Sequence, residues 1–229
     1  MTLRNTTFSN CNSSQGGAVW VNLAFGGRLT IDGLCSFTDC QSLNQSGGAV
    51  YASVNWQNSQ FIMEDGIQFS DCICISNETN SGGGALYAYM QGGELIMRGS
   101  CIFRNCNSSN DGGAFNIMTD YNNDNIRSSG GVQFIGCNSG SWGGGILISS
   151  SYTGLIQINK MSFQDCSSLK GGGFYSSLYN GASLLITGKL SFLNCSSSEN
   201  QDDGGGIYLW IANSQSCISQ YEAGGCRLI

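Results

Sequence analysis

Short runs of alternating apolar and polar residues recur along the chain, each opened by a pair of glycines and closed near a phenylalanine. After Gly-Gly comes Ala or Gly, then an apolar position: Val19, Val50, Leu86, Phe115, Ile146, Phe174 and Ile207. Two residues on stand Val21, Ala52, Ala88, Ile117, Ile148, Ser176 and Leu209. A spacing of two is the strand period, so both sets are expected on one face, toward a core. The residues between them are Trp20, Tyr51, Tyr87, Asn116, Leu147, Tyr175 and Tyr208. They are expected to point outward as a mostly aromatic stripe. A second alternating run precedes each Phe, with Leu29 and Ile31 before Phe37, Phe61 and Met63 before Phe69, Leu95 and Met97 before Phe103, and Leu184 and Ile186 before Phe192. In the sixth copy Ile156 and Ile158 stand one residue closer to Phe163. Cys35, Ile67, Cys101, Val132, Met161 and Leu190, each two residues before a Phe, form another inward set.

The runs belong to one repeated phrase. Phe-x-x-Cys occurs seven times, at Phe8/Cys11, Phe37/Cys40, Phe69/Cys72, Phe103/Cys106, Phe134/Cys137, Phe163/Cys166 and Phe192/Cys195. Successive Phe lie 29, 32, 34, 31, 29 and 29 residues apart. A period of this size marks a solenoid, whose units cannot bury their apolar face alone. From the first Gly of each pair to the next Phe the distance is 20–22 residues, whereas from Phe to the following pair it varies from 8 to 14. Insertions are thus confined to one corner of a constant cross-section. Each period is expected to hold two or three short strands, stacked on their copies about 4.8 Å away.

The fold class predicted is all-β, a right-handed parallel β-helix of about seven coils of 29–34 residues. Residues 1–229 read as one such domain, and because "GGCRLI" stops where another repeat would form, it is expected to be a fragment of a longer solenoid or a short gene copy. The L-x-x-L-x-L pattern of leucine-rich repeats is missing, as is the G-G-x-G-x-D nonapeptide of calcium-binding rolls. Strand-forming Tyr, Val, Ile and Phe beside abundant Gly disfavour helical repeats.

The repeated residues read first as architecture. Gly-Gly suits turns with positive φ and close stacking, and no helix with a Lys or acidic partner follows to make it a phosphate cradle. The Phe residues are expected to stack in the core. Of the 12 Cys, the seven that follow Phe are expected to form a buried column of mainly free thiols. Cys74, Cys217 and Cys226 lie off the column and are the disulfide candidates. With no His and no second pair to match Cys72/Cys74, no metal site is predicted. The Asn-, Ser- and Gly-rich corner between Cys and Gly-Gly reads as turn chemistry with possible contact surfaces.

Charge is sparse: 10% of residues, net −6. This balance, without basic clusters, argues against nucleic acid or an anionic membrane as partner. No run of 18 apolar residues encodes a transmembrane helix. Sequons at Asn5, Asn12, Asn44, Asn77, Asn107 and Asn194 lie mostly on the polar corner. Glycoside hydrolysis requires paired carboxylates. The adjacent acids Asp202 and Asp203 read as solvated loop charge, while Asp39, Asp65, Asp71 and Asp165 are scattered in turns. Lys160, Lys170 and Lys189 do not cluster with acids in the sequence. No catalytic residue, cofactor site or metal site is therefore predicted.

The motifs "GGAV" at 16–19 and 47–50, "GGGAL" at 82–86 and "GGAF" at 112–115, each coupled to a Phe corner, resemble the G-G-A-[ILV] and F-x-x-N repeats of the polymorphic outer membrane protein family of chlamydiae and related repeat proteins of some protists. Here Cys replaces the Asn of the second motif, and Asn10, Asn105 and Asn194 stand one residue earlier. The resemblance spans nearly the whole chain. It implies a pectin lyase-like β-helix, exposed on a cell surface and acting in adhesion. The expected function is accordingly a non-catalytic extracellular or membrane-associated scaffold, a glycoprotein if the sequons are used. Its partner would be a host or self surface protein or glycan, met through the Cys-to-Gly-Gly loops or the outer aromatic stripe. The competing expectations are a carbohydrate-active enzyme on the same fold and an intracellular structural module with reduced cysteines.

Overall fold

The computed structural model describes residues 1–198 and 203–212 in full and the backbone strands Cys217–Glu222 and Gly225–Leu228. It is a right-handed parallel β-solenoid whose coils stack in register, so that Val50 pairs with Leu86, Leu86 with Phe115, and Phe115 with Ile146. Three faces result. One is a seven-stranded sheet of the strands after Gly-Gly, from Val19–Leu23 to Ile207–Ile211. The second is a fourteen-stranded sheet holding the strands before and around Phe. The third, also seven-stranded, consists of two-residue strands directly after Cys, from Asn12–Ser13 to Ser196–Ser197.

Identical side chains fall above one another and pack as ladders. The rings of Phe8, Phe37, Phe69, Phe103, Phe134, Phe163 and Phe192 stack with centroids 4.7–5.0 Å apart. The five central rings are fully buried. Cys40, Cys72, Cys106, Cys137 and Cys166 form the buried column beside them, with Cys11 and Cys195 half-buried at its ends.

The two glycines of each pair do different work. The first has positive φ in all seven coils, from +26° at Gly204 to +73° at Gly47, a region costly for residues with a Cβ. The second faces the next coil so closely that a Cβ would strike its backbone, as at Gly113 against Gly144 and Asn138. A further ladder lies between Phe and Cys. Asn10, Asp39, Asp71, Asn105, Gly136, Asp165 and Asn194 all take φ of +51° to +62°. Asn, Asp and Gly are the residues that tolerate this left-handed corner. The side chains link from coil to coil: Asn105 Nδ2 donates to Asp71 Oδ1 and Asn194 Nδ2 to Asp165 Oδ1, both at 3.1 Å. Three of the acids that look scattered in the sequence are therefore corner residues of one ladder.

In the fifth and sixth coils the corner before Phe is straightened, and Asp124–Ile135 and Gly154–Gln164 run through as single strands that join the two halves of the fourteen-stranded sheet. The missing residue of the sixth coil appears as a register shift between Ser128 and Gly131, where the fifth strand bulges. The last parallel partner is Cys217–Glu222 on Ser183–Ile186, and Gly225–Leu228 returns antiparallel on it.

Candidate functional site: a covered stripe and an exposed aromatic turn

The expected outer stripe is not a free surface. Trp20 is exposed and Tyr51 and Tyr208 are half-buried, but Tyr87, Asn116, Leu147 and Tyr175 are buried. The cause is the variable corner, which folds back over the face instead of projecting from it. Trp142 stacks on Tyr175 at 5.2 Å, and the Tyr87 hydroxyl donates to the Asn80 carbonyl at 3.4 Å. Asn116 Nδ2 reaches the Ser81 carbonyl at 3.5 Å, and Trp20 Nε1 donates to Gln15 at 2.9 Å. Stacking continues along the stripe from Trp20 through Tyr51 to Tyr87 and from Tyr175 to Tyr208. An aromatic face left in water is costly, and a polar loop with one ring or carbonyl per coil covers it.

The loops also bind one another. Asn110 Nδ2 lies 2.9 Å from the carbonyls of Ser76 and Glu78 and 2.7 Å from Ser81 Oγ. At the start of three loops a serine hydroxyl closes the turn: Ser42 Oγ to the Gln45 carbonyl at 2.9 Å, Ser139 to Trp142 at 3.0 Å, Ser168 to Lys170 at 2.8 Å. Cys74 occupies the equivalent ladder position and its Sγ donates to the Gln45 carbonyl at 3.0 Å. Its thiol is free and buried. This disulfide candidate is thus a serine analogue in a packed loop, while the side chains of Cys217 and Cys226 lie outside the described residues.

Asp203 likewise departs from the expected solvated charge. It is buried, its Oδ1 lies 3.5 Å from Lys170 Nζ, and that ammonium sits 5.5 Å over the Tyr208 ring. The pairing invisible in the sequence arises because both loops lie on the same stripe, one coil apart. Asp202 lies outside the described residues. Of the sequons, Asn5, Asn12, Asn44, Asn77 and Asn194 are exposed and Asn107 is half-buried. Among the described residues no three His, Cys, Asp or Glu side chains converge as a metal would need, and no helix is long and apolar enough to cross a membrane.

Five further exposed aromatics lie on the turns that follow the Gly-Gly strands. Phe25, Trp56, Tyr121, Tyr152 and Tyr179 are 85%, 60%, 61%, 44% and 36% exposed. Phe25 and Trp56 stack at 5.4 Å. Their backbones are unusual. Gly27 N–H donates to the Ala24 carbonyl at 3.0 Å, and the two residues between, Phe25 and Gly26, have φ of +53° and +81°. The coil that ends at Phe192 builds the same turn with Asn180 and Gly181, closed by Ala182 N–H to the Tyr179 carbonyl. Asn-Gly is the favoured pair for two positive φ values. Phe25 thus stands where Asn is the comfortable residue, and Trp56 has φ of +70°. Bulky residues held there are strained, and strain of this kind concentrates at functional positions.

Asp124 anchors this turn from beneath. It is buried, accepting from Gly92 N–H at 2.5 Å through Oδ1 and from Tyr121 N–H at 3.2 Å through Oδ2. Desolvation pushes its carboxyl up to about 6, against the lowering effect of those amides, and burial does the same to Asp111 in the loop cover. Both native pKa values exceed the unfolded value near 3.8, so the native state holds these protons more tightly. Their stabilising contribution is complete below the unfolded pKa and is lost as pH rises through about 6. Above pH 5 the part still to be lost is on the order of 1 kcal/mol per group. The thermal midpoint of the wild type is therefore expected to fall further between pH 5 and pH 7.5 than that of the Asp111→Asn/Asp124→Asn double variant; an equal fall in both would refute the raised carboxyl pKa values.

Comparison with protein-family models, with curated proteins and with solved structures finds no match to this chain. The likeness to the polymorphic outer membrane proteins rests on the Gly-Gly and Phe motifs alone.

Proposed function

We propose that the chain is a non-catalytic surface scaffold, extracellular or displayed at a cell surface, that makes adhesive contacts through its aromatic turn. The observation that carries this reading is the exposed aromatic row on an otherwise regular solenoid, strained in its backbone at Phe25 and Trp56. The repeated Gly, Phe, Cys and Asn/Asp positions are committed to packing, so the coil provides rigidity and one turn provides contact. The placement of the acids supports a binding role over a hydrolytic one. Asp39, Asp71 and Asp165 shape left-handed corners, Asp124 holds backbone amides, and Asp203 pairs with Lys170. The turn at the opposite end of these strands is favoured over the Cys-to-Gly-Gly loops as the contact surface, because side chains and carbonyls of those loops pack on the stripe.

Beads coated with the purified chain are expected to adhere to members of a panel of intact prokaryotic and eukaryotic cells. Replacing Trp56 and Tyr121 together by Ala should remove most of that adhesion. Equal adhesion by the wild type and the double variant would overturn the reading.

A further inference from the structure

The aromatic row is interrupted once, at Gly92. In register this residue sits between Trp56 in the coil before and Tyr121 in the coil after. With no side chain there, a groove of about 710 Å³ opens between the two aromatics, within the usual range for small-ligand sites. Its floor is preformed, because Asp124 grips the amides of Gly92 and Tyr121 from below. On the other side, Trp56 N–H donates to the Gln91 carbonyl at 2.8 Å, and Ser59 N–H closes the turn back to the Trp56 carbonyl at 3.3 Å. A rigid site loses little entropy when a ligand arrives.

The chemistry of the lining is selective. Phe25, Trp56 and Tyr121 supply ring surface, and Gln57, Asn58, Gln91 and Asn122 supply side-chain amides. No charged side chain lines the groove. The adjoining depression adds Arg28 and Glu94, one charge of each sign. Aromatic faces carry negative electrostatic potential and attract the polarised C–H face of a pyranose ring. A carboxamide both donates and accepts, as a sugar hydroxyl does. Phosphate, sulfate or uronic acid groups would find no net positive counterpart. Two coils rise about 9.6 Å, the reach of about two to three linked hexoses.

We propose that the groove over Gly92 binds a neutral oligosaccharide, with sugar rings on Trp56 and Tyr121 and hydroxyls on the amide bank. The assignment rests on the adhesive reading above and names its ligand class. The depression bounded by Asp120, Tyr121, Asn122 and Tyr152 extends the site by one coil, so longer chains bind more tightly than disaccharides.

The test is titration of the purified chain with neutral cello-, chito- and manno-hexasaccharides and with an acidic hyaluronan hexasaccharide, followed by tryptophan fluorescence and calorimetry. At least one neutral ligand should bind saturably and perturb tryptophan emission. Trp56→Ala and Tyr121→Ala should each weaken binding roughly ten-fold, about 1.4 kcal/mol, while Trp56→Phe retains most of it. Trp20→Ala, at the exposed first rung of the stripe and away from the groove, should leave binding unchanged. Both groove side chains are exposed, and circular dichroism of each variant checks that the fold persists. The proposal is overturned if no neutral oligosaccharide binds at millimolar concentration, if the acidic one is preferred, or if Trp56→Ala leaves binding intact. It is equally overturned if sedimentation shows that Trp56 instead mediates association of two copies. If bead adhesion depends on Trp56 but no neutral oligosaccharide competes with it, the glycan assignment falls and the adhesive reading stands. If neither is observed, both fall.

Discussion

Gly113→Ala is expected to destabilise the solenoid by about 4 kcal/mol or more, at the far end of what a single methyl group can do. Gly113 lies in the middle of the stack, and the added Cβ would meet the Gly144 carbonyl oxygen and the Asn138 backbone. Neither is a side chain that can rotate away. Relief would require separating two coils along their whole hydrogen-bonded register, beginning with the Gly113 N–H to Gly143 carbonyl bond of 2.9 Å. The matched control is Gly131→Ala, where the nearest atom beyond the chain neighbours is the flexible Lys160 Cδ at 4.0 Å. That change is expected to be neutral or to stabilise by about 0.5 kcal/mol through lost unfolded-state entropy. Guanidinium denaturation midpoints of the two variants measure the contrast. Similar midpoints would show that the coils are not in the tight contact described.

Phe103→Ala is expected to cost about 3–5 kcal/mol. Its ring is fully buried and touches Phe69 at 4.8 Å, Phe134 at 5.0 Å and Phe115 at 5.9 Å. The cavity therefore opens between two coils and cannot be filled from either without breaking register. Phe8→Ala should cost much less, because Phe8 is only partly buried and stacks on one neighbour, Phe37. In a solenoid, stability is carried by interfaces between neighbouring units, so the central substitution weakens two interfaces and the terminal one a single interface. Denaturation of both variants under one set of conditions gives the ratio, and equal losses would contradict the ladder.

The fold was legible because a β-helix writes its cross-section into the chain once per coil. The Phe step, the constant arc after Gly-Gly and the inward alternation at Leu29, Ile31 and Phe37 each have a counterpart in the stack. Even the slipped sixth coil was visible, as Ile156 and Ile158 standing one residue nearer Phe163. What stayed hidden was everything that depends on where a loop goes after it leaves the coil. Tyr87 and Tyr175 obey the outward alternation, yet they are buried by Asn80 and Trp142 from loops that show no apolar period. The two-residue strands such as Asn107–Ser108 are too short and too polar to alternate. The Asn/Asp corner ladder was available as a signal, since the position before Cys holds only Asn, Asp or Gly in all seven copies. The aromatic turn could also have been found, by noticing that Phe25 occupies the place held by Asn180.

The in-register stack gives the aromatic turn a property of its own. Every rung of the turn is displaced from the last by the same fixed rise of about 4.8 Å, so the turn is graduated like a ruler. The spacing between Trp56 and Tyr121 is set by a whole number of coils, here two, with Gly92 marking the rung between. Gene duplication or deletion of one coil would insert or remove a single graduation without disturbing the register on either side. On the binding role proposed above, such a chain would tune the length of its contact row in discrete steps, by copying or losing units whose packing residues are interchangeable.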